Sequence, residues 1–246
     1  MLAGHFTTAL VAKQEAPKGH IAYYLVAAQL PDLLWLPFHY LGLEVTHPHN
    51  IMATSLDNLQ VDMTYSHDLL PLLGWIALVI GVGRALFGGW RPGLIGGLLL
   101  VVHAATDYLG GFPHNLFGPE TASVGTGLYH SSPYLAVALE GVFIVATLAW
   151  VPRNDAKAGI QRSRSTYLTW AAVFGGNMAF LLFSADLSMA EMFGLTPSPA
   201  MDGTTVPMMA ATYLSMLAAL VWAEGKPTKA RAERESSSSV PAAQGA

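Results

Sequence analysis

The sequence predicts an all-α fold: a polytopic transmembrane bundle of five spans with an N-terminal broken or re-entrant helical pair. Three observations predict it. Only 11% of the 246 residues are charged, against 52% hydrophobic, whereas soluble chains carry about 25% charged residues. The deficit is gathered into five apolar runs, each matching the roughly 20 residues that a bilayer-crossing helix needs. The Lys and Arg residues between those runs all fall on one side.

The five predicted spans are 68–87, 92–110, 131–151, 166–186 and 205–223. Their Gly, Ala and Ser content suits close helix packing in lipid, where small residues let backbones approach. Gly96–Gly97 and Gly175–Gly176 are read as such packing positions. The first 43 residues differ. The segment HFTTALVAKQ is too short to span, and residues 20–43 are long enough but carry Pro31 and Asp32 at their middle. Proline interrupts the helical hydrogen-bond ladder, and a mid-membrane carboxylate is costly. Residues 20–43 are therefore either a broken sixth span or a re-entrant hairpin. The first arrangement puts His5 on the same side as Lys13 and Lys18. The second lets His5 and Asp32 approach the opposite side.

Arg84 and Arg91 flank one short loop, Arg153, Lys157, Arg162 and Arg164 lie in another, and Lys226, Lys229, Arg231 and Arg234 lie in the tail. Loops 44–67, 111–130 and 187–204 hold no Lys or Arg. The positive-inside rule makes the basic side cytoplasmic. A single membrane domain covers 1–224. The tail, 225–246, is charged and then Ser/Ala-rich, a composition that predicts disorder. The N-terminal residues show no basic region or cleavage site, so no cleaved signal peptide is expected. A net charge of −4 gives no basic footprint for nucleic acid, and the absence of cysteine excludes thiolate metal sites and disulfides.

Histidine is the residue type that stands out. His39, His47, His49, His67, His103, His114 and His130 all lie in the loops opposite the basic side or in the adjoining helix ends. Taken singly, each can be an interfacial residue facing water. His103-Ala-Ala-Thr-Asp107 is more specific: the i,i+4 spacing sets both side chains on one face of an otherwise apolar helix. Polar groups there face the bundle interior or a wet cavity. Imidazole with carboxylate suits a divalent ion such as Zn, Mn or Fe(II). Next comes Tyr65-Ser66-His67-Asp68, just before the first span. Ser66 suits a helix cap and Asp68 the first turn, which leaves His67 unexplained. With antiparallel spans, His67 and Asp107 reach similar depth. Asp32 after Pro31 fits a turn, a cap or a metal. Glu140, within the third span, is either an acid paired with a histidine or a group orienting a ligand.

At these residues the chain resembles the bacterial inner-membrane proteins described as membrane-bound metal-dependent hydrolases. The shared order is Gly4-His5, Leu30-Pro31-Asp32, Ser66-His67, His103-x-x-x-Asp107 and then a Gly/Pro-rich turn, GGFPHNLFGPE; it covers roughly the first 120 residues. A fainter similarity of order extends to zinc-dependent phospholipases C. The family often carries a second acid where Leu34 stands and an earlier histidine where Met63-Thr64 stands; His47, His49 and His114 are candidate substitutes. The resemblance implies His5, Asp32, His67, His103 and Asp107 as ligands of one or more divalent ions, zinc foremost. Asp68 or Glu140 would be the base or an outer support. The implied substrate is a lipid-like or amphiphilic ester or phosphoester, with membrane lipids as partners. Two other classes fit intramembrane His and Asp: a metal-ion or proton-coupled transporter, which uses such groups along a pathway, and a non-catalytic membrane protein with a degenerate site. The chain shows no internal repeat.

Overall fold

A computed structural model describes residues 2–226; the expected disordered tail lies outside the described residues apart from 225 and 226. In chain order the helices are α1 (Gly4–Glu15), α2 (Ile21–Ala28), α3 (Leu30–Tyr40), α4 (Leu69–Phe87), α5 (Trp90–Gly110), α6 (Leu128–Ser131), α7 (Pro133–Lys157), α8 (Arg164–Trp170), α9 (Gly176–Phe183), α10 (Met189–Phe193) and α11 (Thr205–Glu224). A π-helical turn, Ala171–Gly175, joins α8 to α9. Five of these elements are long and apolar enough to cross a membrane: α4, α5, α7, the α8–α9 unit and α11. Their outward faces are apolar, with Leu73, Leu86, Val142 and Val145 all more than 60% exposed. The third span runs past its expected end, because Pro152 removes one N–H without stopping the last polar turn to Lys157.

α4 and α5 form a tight antiparallel pair turned by Gly88, whose φ of 68° is left-handed and suits glycine. The expectation for Gly96 and Gly97 holds. A Cβ on Gly96 would lie 2.1 Å from the Tyr23 hydroxyl, and one on Gly97 2.7 Å from Ile80. Gly175 and Gly176 are different: a Cβ on either meets nothing within 4 Å. They close the π-turn and face open space, so the packing expectation fails for this pair.

The N-terminal region combines features of both expected arrangements. α2 and α3 are a pair bent by 64°. Pro31, in the first turn of α3, has no N–H to continue the α2 ladder. α1 spans only about 18 Å at 1.5 Å per residue, yet seven of its twelve residues are buried. It starts at the end of the bundle where loops 44–67 and 111–130 lie and runs to the basic end. There Gln14 Nε2 donates to the Val151 carbonyl at 2.9 Å and to Asp155 Oδ1 at 2.7 Å. The Ala16–His20 turn reverses the chain, and α2 climbs back. Lys13 thus lies at the basic end while His5 lies at the other, which removes the conflict between them. The basic end is closed by Arg162, which pairs with Asp155 and Glu224 and sits 5.0 Å over the Trp170 ring.

At the opposite end, two short antiparallel ladders order the loops: Thr46–His47 with Gln60–Val61, and His114–Asn115 with Ser123–Val124. They roof the space between α1, α3, α5 and α11.

Candidate metal centre

Each of the five expected ligand residues is positioned by a different local cause, and all five converge. His5 occupies the first turn of α1. The unpaired N–H groups of that helix start need acceptors, and Glu140 of α7 supplies them. Its carboxylate accepts from the main chain of Leu2 at 3.1 Å and of Ala3 and Gly4 at 3.0 Å, and from Asn177 Nδ2 at 3.2 Å. A carboxylate at a helix N-terminus also meets the positive end of the dipole. Asp32 sits in the first turn of α3, where Gln29 Nε2 donates to Oδ2. Its Oδ1 lies 3.2 Å from His67 Nε2. His103 and Asp107 share one face of α5, with Nε2 and Oδ2 3.1 Å apart. Asp107 Oδ1 is 3.1 Å from His5 Nε2. The His5 and His103 rings stack at 3.7 Å, and the Nε2 atoms of His67 and His103 are 3.4 Å apart. All five side chains are buried.

The outer nitrogens decide the chemistry of the inner ones. His103 Nδ1 meets the Ala28 carbonyl at 2.8 Å, a group left over where α2 ends. A carbonyl only accepts, so Nδ1 carries the hydrogen. Ser66 donates its hydroxyl to Glu44 Oε2 at 3.0 Å and stands 2.7 Å from His67 Nδ1, which therefore donates to it. Thr106 donates to the Val102 and His103 carbonyls, each at 2.9 Å, and receives from His5 Nδ1 at 3.3 Å. Oriented this way, each imidazole in its neutral form turns a bare Nε2 lone pair towards the two carboxylates. Facing acceptors repel, and buried carboxylates are costly unless compensated. A cation shared among these ligand atoms, or a proton on an imidazole, would relieve that repulsion. Two groups of ligand atoms, His5–His103–Asp107 and Asp32–His67–His103, each lie within 4.8 Å of one another.

Asp68 and Glu140 have other partners. Asp68 is the residue preceding α4, but its carboxylate takes the main-chain N–H of Asn115 at 2.8 Å and of Gly118 at 2.6 Å, holding the 111–118 loop over the cluster. Of the two expected roles, base or outer support, these partners fit support, as do those of Glu140. Pairing of Glu140 with a histidine is not among its contacts in the described residues. Ser66 is not a helix cap; its hydroxyl belongs to the Glu44–His67 relay.

Two residues at the site, Glu44 and Tyr129, escaped sequence reasoning. Glu44 accepts from the Tyr65 and Ser66 main chain, each at 2.8 Å, as well as from the Ser66 hydroxyl, and burial pushes its carboxyl up. His114, one of the candidate substitutes for the residues missing from the family pattern, stacks on His67 at 5.1 Å with an interplanar angle of 8°, and its buried Nε2 has no partner among the described residues. Burial and then neighbouring His67 push His114 down to about 3, so it is neutral near pH 7. Tyr129 lines the cluster cavity, and burial holds its hydroxyl well above the usual range. The signal for His114 was its place in the Gly/Pro-rich turn after His103-x-x-x-Asp107; Glu44 and Tyr129 carried none. His47 and His49 stay outside the cluster, edge to face with each other at 4.3 Å. His130 meets the Leu59 carbonyl.

The cluster borders a cavity of about 50 Å³, room for roughly one or two water molecules. His114, Val61, Met63 and Phe112 separate this cavity from an outer one of about 400 Å³ that also reaches Asp68 and His47. No family model, curated protein or solved structure matches this chain.

Proposed function

We propose that the protein is a membrane-embedded metal-dependent hydrolase acting on a lipid-like ester or phosphoester at the bilayer surface. The observation that carries this reading is the inward set of three Nε2 lone pairs and two carboxylates, each imidazole tied through Nδ1 to a carbonyl or hydroxyl acceptor. That outer tethering is the usual support of metal-binding histidines. Two carboxylate groups and three imidazole nitrogens form a mixed oxygen and nitrogen donor set that suits a divalent ion, zinc foremost. His5, Asp32, His67, His103 and Asp107 would hold it. A divalent ion so held supplies Lewis acidity to an ester or phosphoester oxygen and acidifies nearby water.

The chain's own groups then have definable tasks. Water enters from the outer cavity past His114, whose unpartnered neutral Nε2 orients it. Tyr129 stays protonated and donates to a substrate oxygen in the cavity. Glu44, through Ser66, keeps the His67 ring turned inward. Asp68 and Glu140 hold the loop and the helix that carry neighbouring groups. The basic loops support a cytoplasmic location for the opposite end and the family resemblance supports a bacterial inner membrane; in this reading the site faces outward. A transporter would need a polar route onward to the basic end, and the core below the cluster is Phe6, Leu10, Leu25 and Leu100, all fully buried.

Elemental analysis of the detergent-purified protein tests the reading. Wild type is expected to carry about one zinc, manganese or iron per chain, lost in the His103→Ala, Asp107→Ala double variant. Wild type without metal after reloading, with the variant merely less stable, would assign the cluster to protonated structural ion pairs instead.

A further inference from the structure

We infer that one acyl chain of a membrane phospholipid reaches the cluster sideways, through an opening between the fourth and fifth spans; the inference deepens the hydrolase reading and rests on it.

Three spaces lie in sequence. The first is the cluster cavity already described. The second, about 130 Å³, adjoins it and shares Leu2, Leu56, Leu59 and Met209 with it. Phe180, Leu181 and Met208 add to a mostly apolar wall, in which Thr54, Ser55, Ser184 and Thr212 also take part. An apolar cavity of about 150 Å³ takes a benzene ring, so this one takes a segment of roughly six carbons. The third is a groove of about 470 Å³ between the π-turn and α9 on one side and α11 on the other. Ala172, Gly176, Ala211, Ser215 and Ala219 line it, and Thr212 borders both groove and apolar cavity.

The opening follows from how the helices are held. At the basic end α11 is fastened to α8, where Thr166 Oγ1 donates to the Ala223 carbonyl at 3.1 Å and Arg162 bridges to Glu224. Nearer the site α9 packs against α7, while α11 packs against α2 and α3. The two spans therefore diverge towards the site. Small residues on facing membrane helices usually close such a gap; here they leave it open, and Gly176 has free space where a Cβ would stand.

Length and polarity select the occupant. From Met208 to Ala219 the groove and cavity follow α11 for roughly 16 Å at 1.5 Å per residue. That is about half of the roughly 30 Å hydrocarbon core, the depth of one leaflet. The site lies at the end of this track nearer the bilayer surface, where a phospholipid keeps its ester and phosphate groups. A tail lying from mid-plane to Phe180 brings those groups to the cluster. The loops around the site contain no Lys or Arg, so nothing there clamps an anionic headgroup, and a zwitterionic lipid fits best.

The test uses the full chain in nanodiscs containing phosphatidylethanolamine with a photoactivatable diazirine on one acyl chain. Adducts mapped by mass spectrometry are expected to concentrate at 172–181 and 208–219. Thr212→Trp, which fills the junction, is expected to reduce them at least tenfold, and Leu182→Trp, on the exposed face of α9, to leave them unchanged. If Thr212→Trp lowers the melting temperature, Gly176→Leu fills the groove from the other wall. Adducts spread evenly over the outward faces of α4, α7 and α11, or labelling that neither filling variant alters, would overturn the inference. Metal content measured on the same samples separates the two claims. Groove labelling without metal keeps the lipid site and removes the hydrolase. Metal without groove labelling does the reverse.

Discussion

The Ser66 hydroxyl is the mildest place to disturb the cluster, because it touches no carboxylate of the centre and acts only through the His67 ring. Ser66→Ala frees Nδ1 of His67 to choose its tautomer and leaves Glu44 short of one donor. A metal affinity about 10–100-fold weaker is expected from losing such a support, with little change in melting temperature; competition against a chromogenic chelator measures it. At this scale the sequence was informative where polarity is expensive. His103 and Asp107 stand out in an apolar span, and Asp32 follows a proline in an apolar stretch. His67 was legible as the one residue that capping did not explain. Glu44 and Tyr129 were not legible in these roles, since they lie in a loop and a loop-side turn where polar residues are ordinary; His114 was legible only as one of three candidate substitutes. Their importance arises from burial that only the folded loops create.

At the scale of elements, close approach of helices can be separated from helix propensity by moving one methyl group. A Cβ at Gly93 would lie 2.4 Å from the Ile80 carbonyl, a backbone atom that cannot rotate aside. Gly93→Ala is expected to cost about 1–3 kcal/mol by forcing α4 and α5 apart. Gly175→Ala, where nothing stands within 4 Å, is expected to be neutral or to gain up to about 1 kcal/mol, as alanine favours helix. Thermal unfolding in one detergent compares the two. Removing the Glu140 carboxylate as Glu140→Ala leaves three buried N–H groups of the α1 start without an acceptor, with an expected loss of about 3 kcal/mol. The spans were readable to within a few residues because length and apolarity alone define them. The path of α1 was not: it is too short to span, and what holds it in the bundle is a carboxylate more than 130 residues away.

For the whole molecule, the proposed orientation has a direct test, since the chain contains no cysteine and single ones can be introduced at will. Glu120→Cys, in an exposed loop at the site end, is expected to react with a membrane-impermeant maleimide in intact cells. Lys157→Cys, exposed at the basic end, is expected to react only after lysis. The reverse pattern would turn the cluster towards the cytoplasm and its water. The bundle and its two chemically distinct ends were visible in the distribution of Lys and Arg. The divergence of α9 from α11 was not, because it depends on which neighbour each helix packs against.

The buried course of α1 also bears on how such a chain is made. α1, with His5, leaves the ribosome before the partners of its helix, since Glu140, Val151 and Asp155 follow on α7, the third span. Until α7 has been synthesised, α1 has neither the length to stay across the bilayer nor the acceptor for its leading N–H groups. α1 is thus translated ahead of a helix on which its final place depends. The cluster is completed by its return, so the centre cannot assemble on a partly inserted chain.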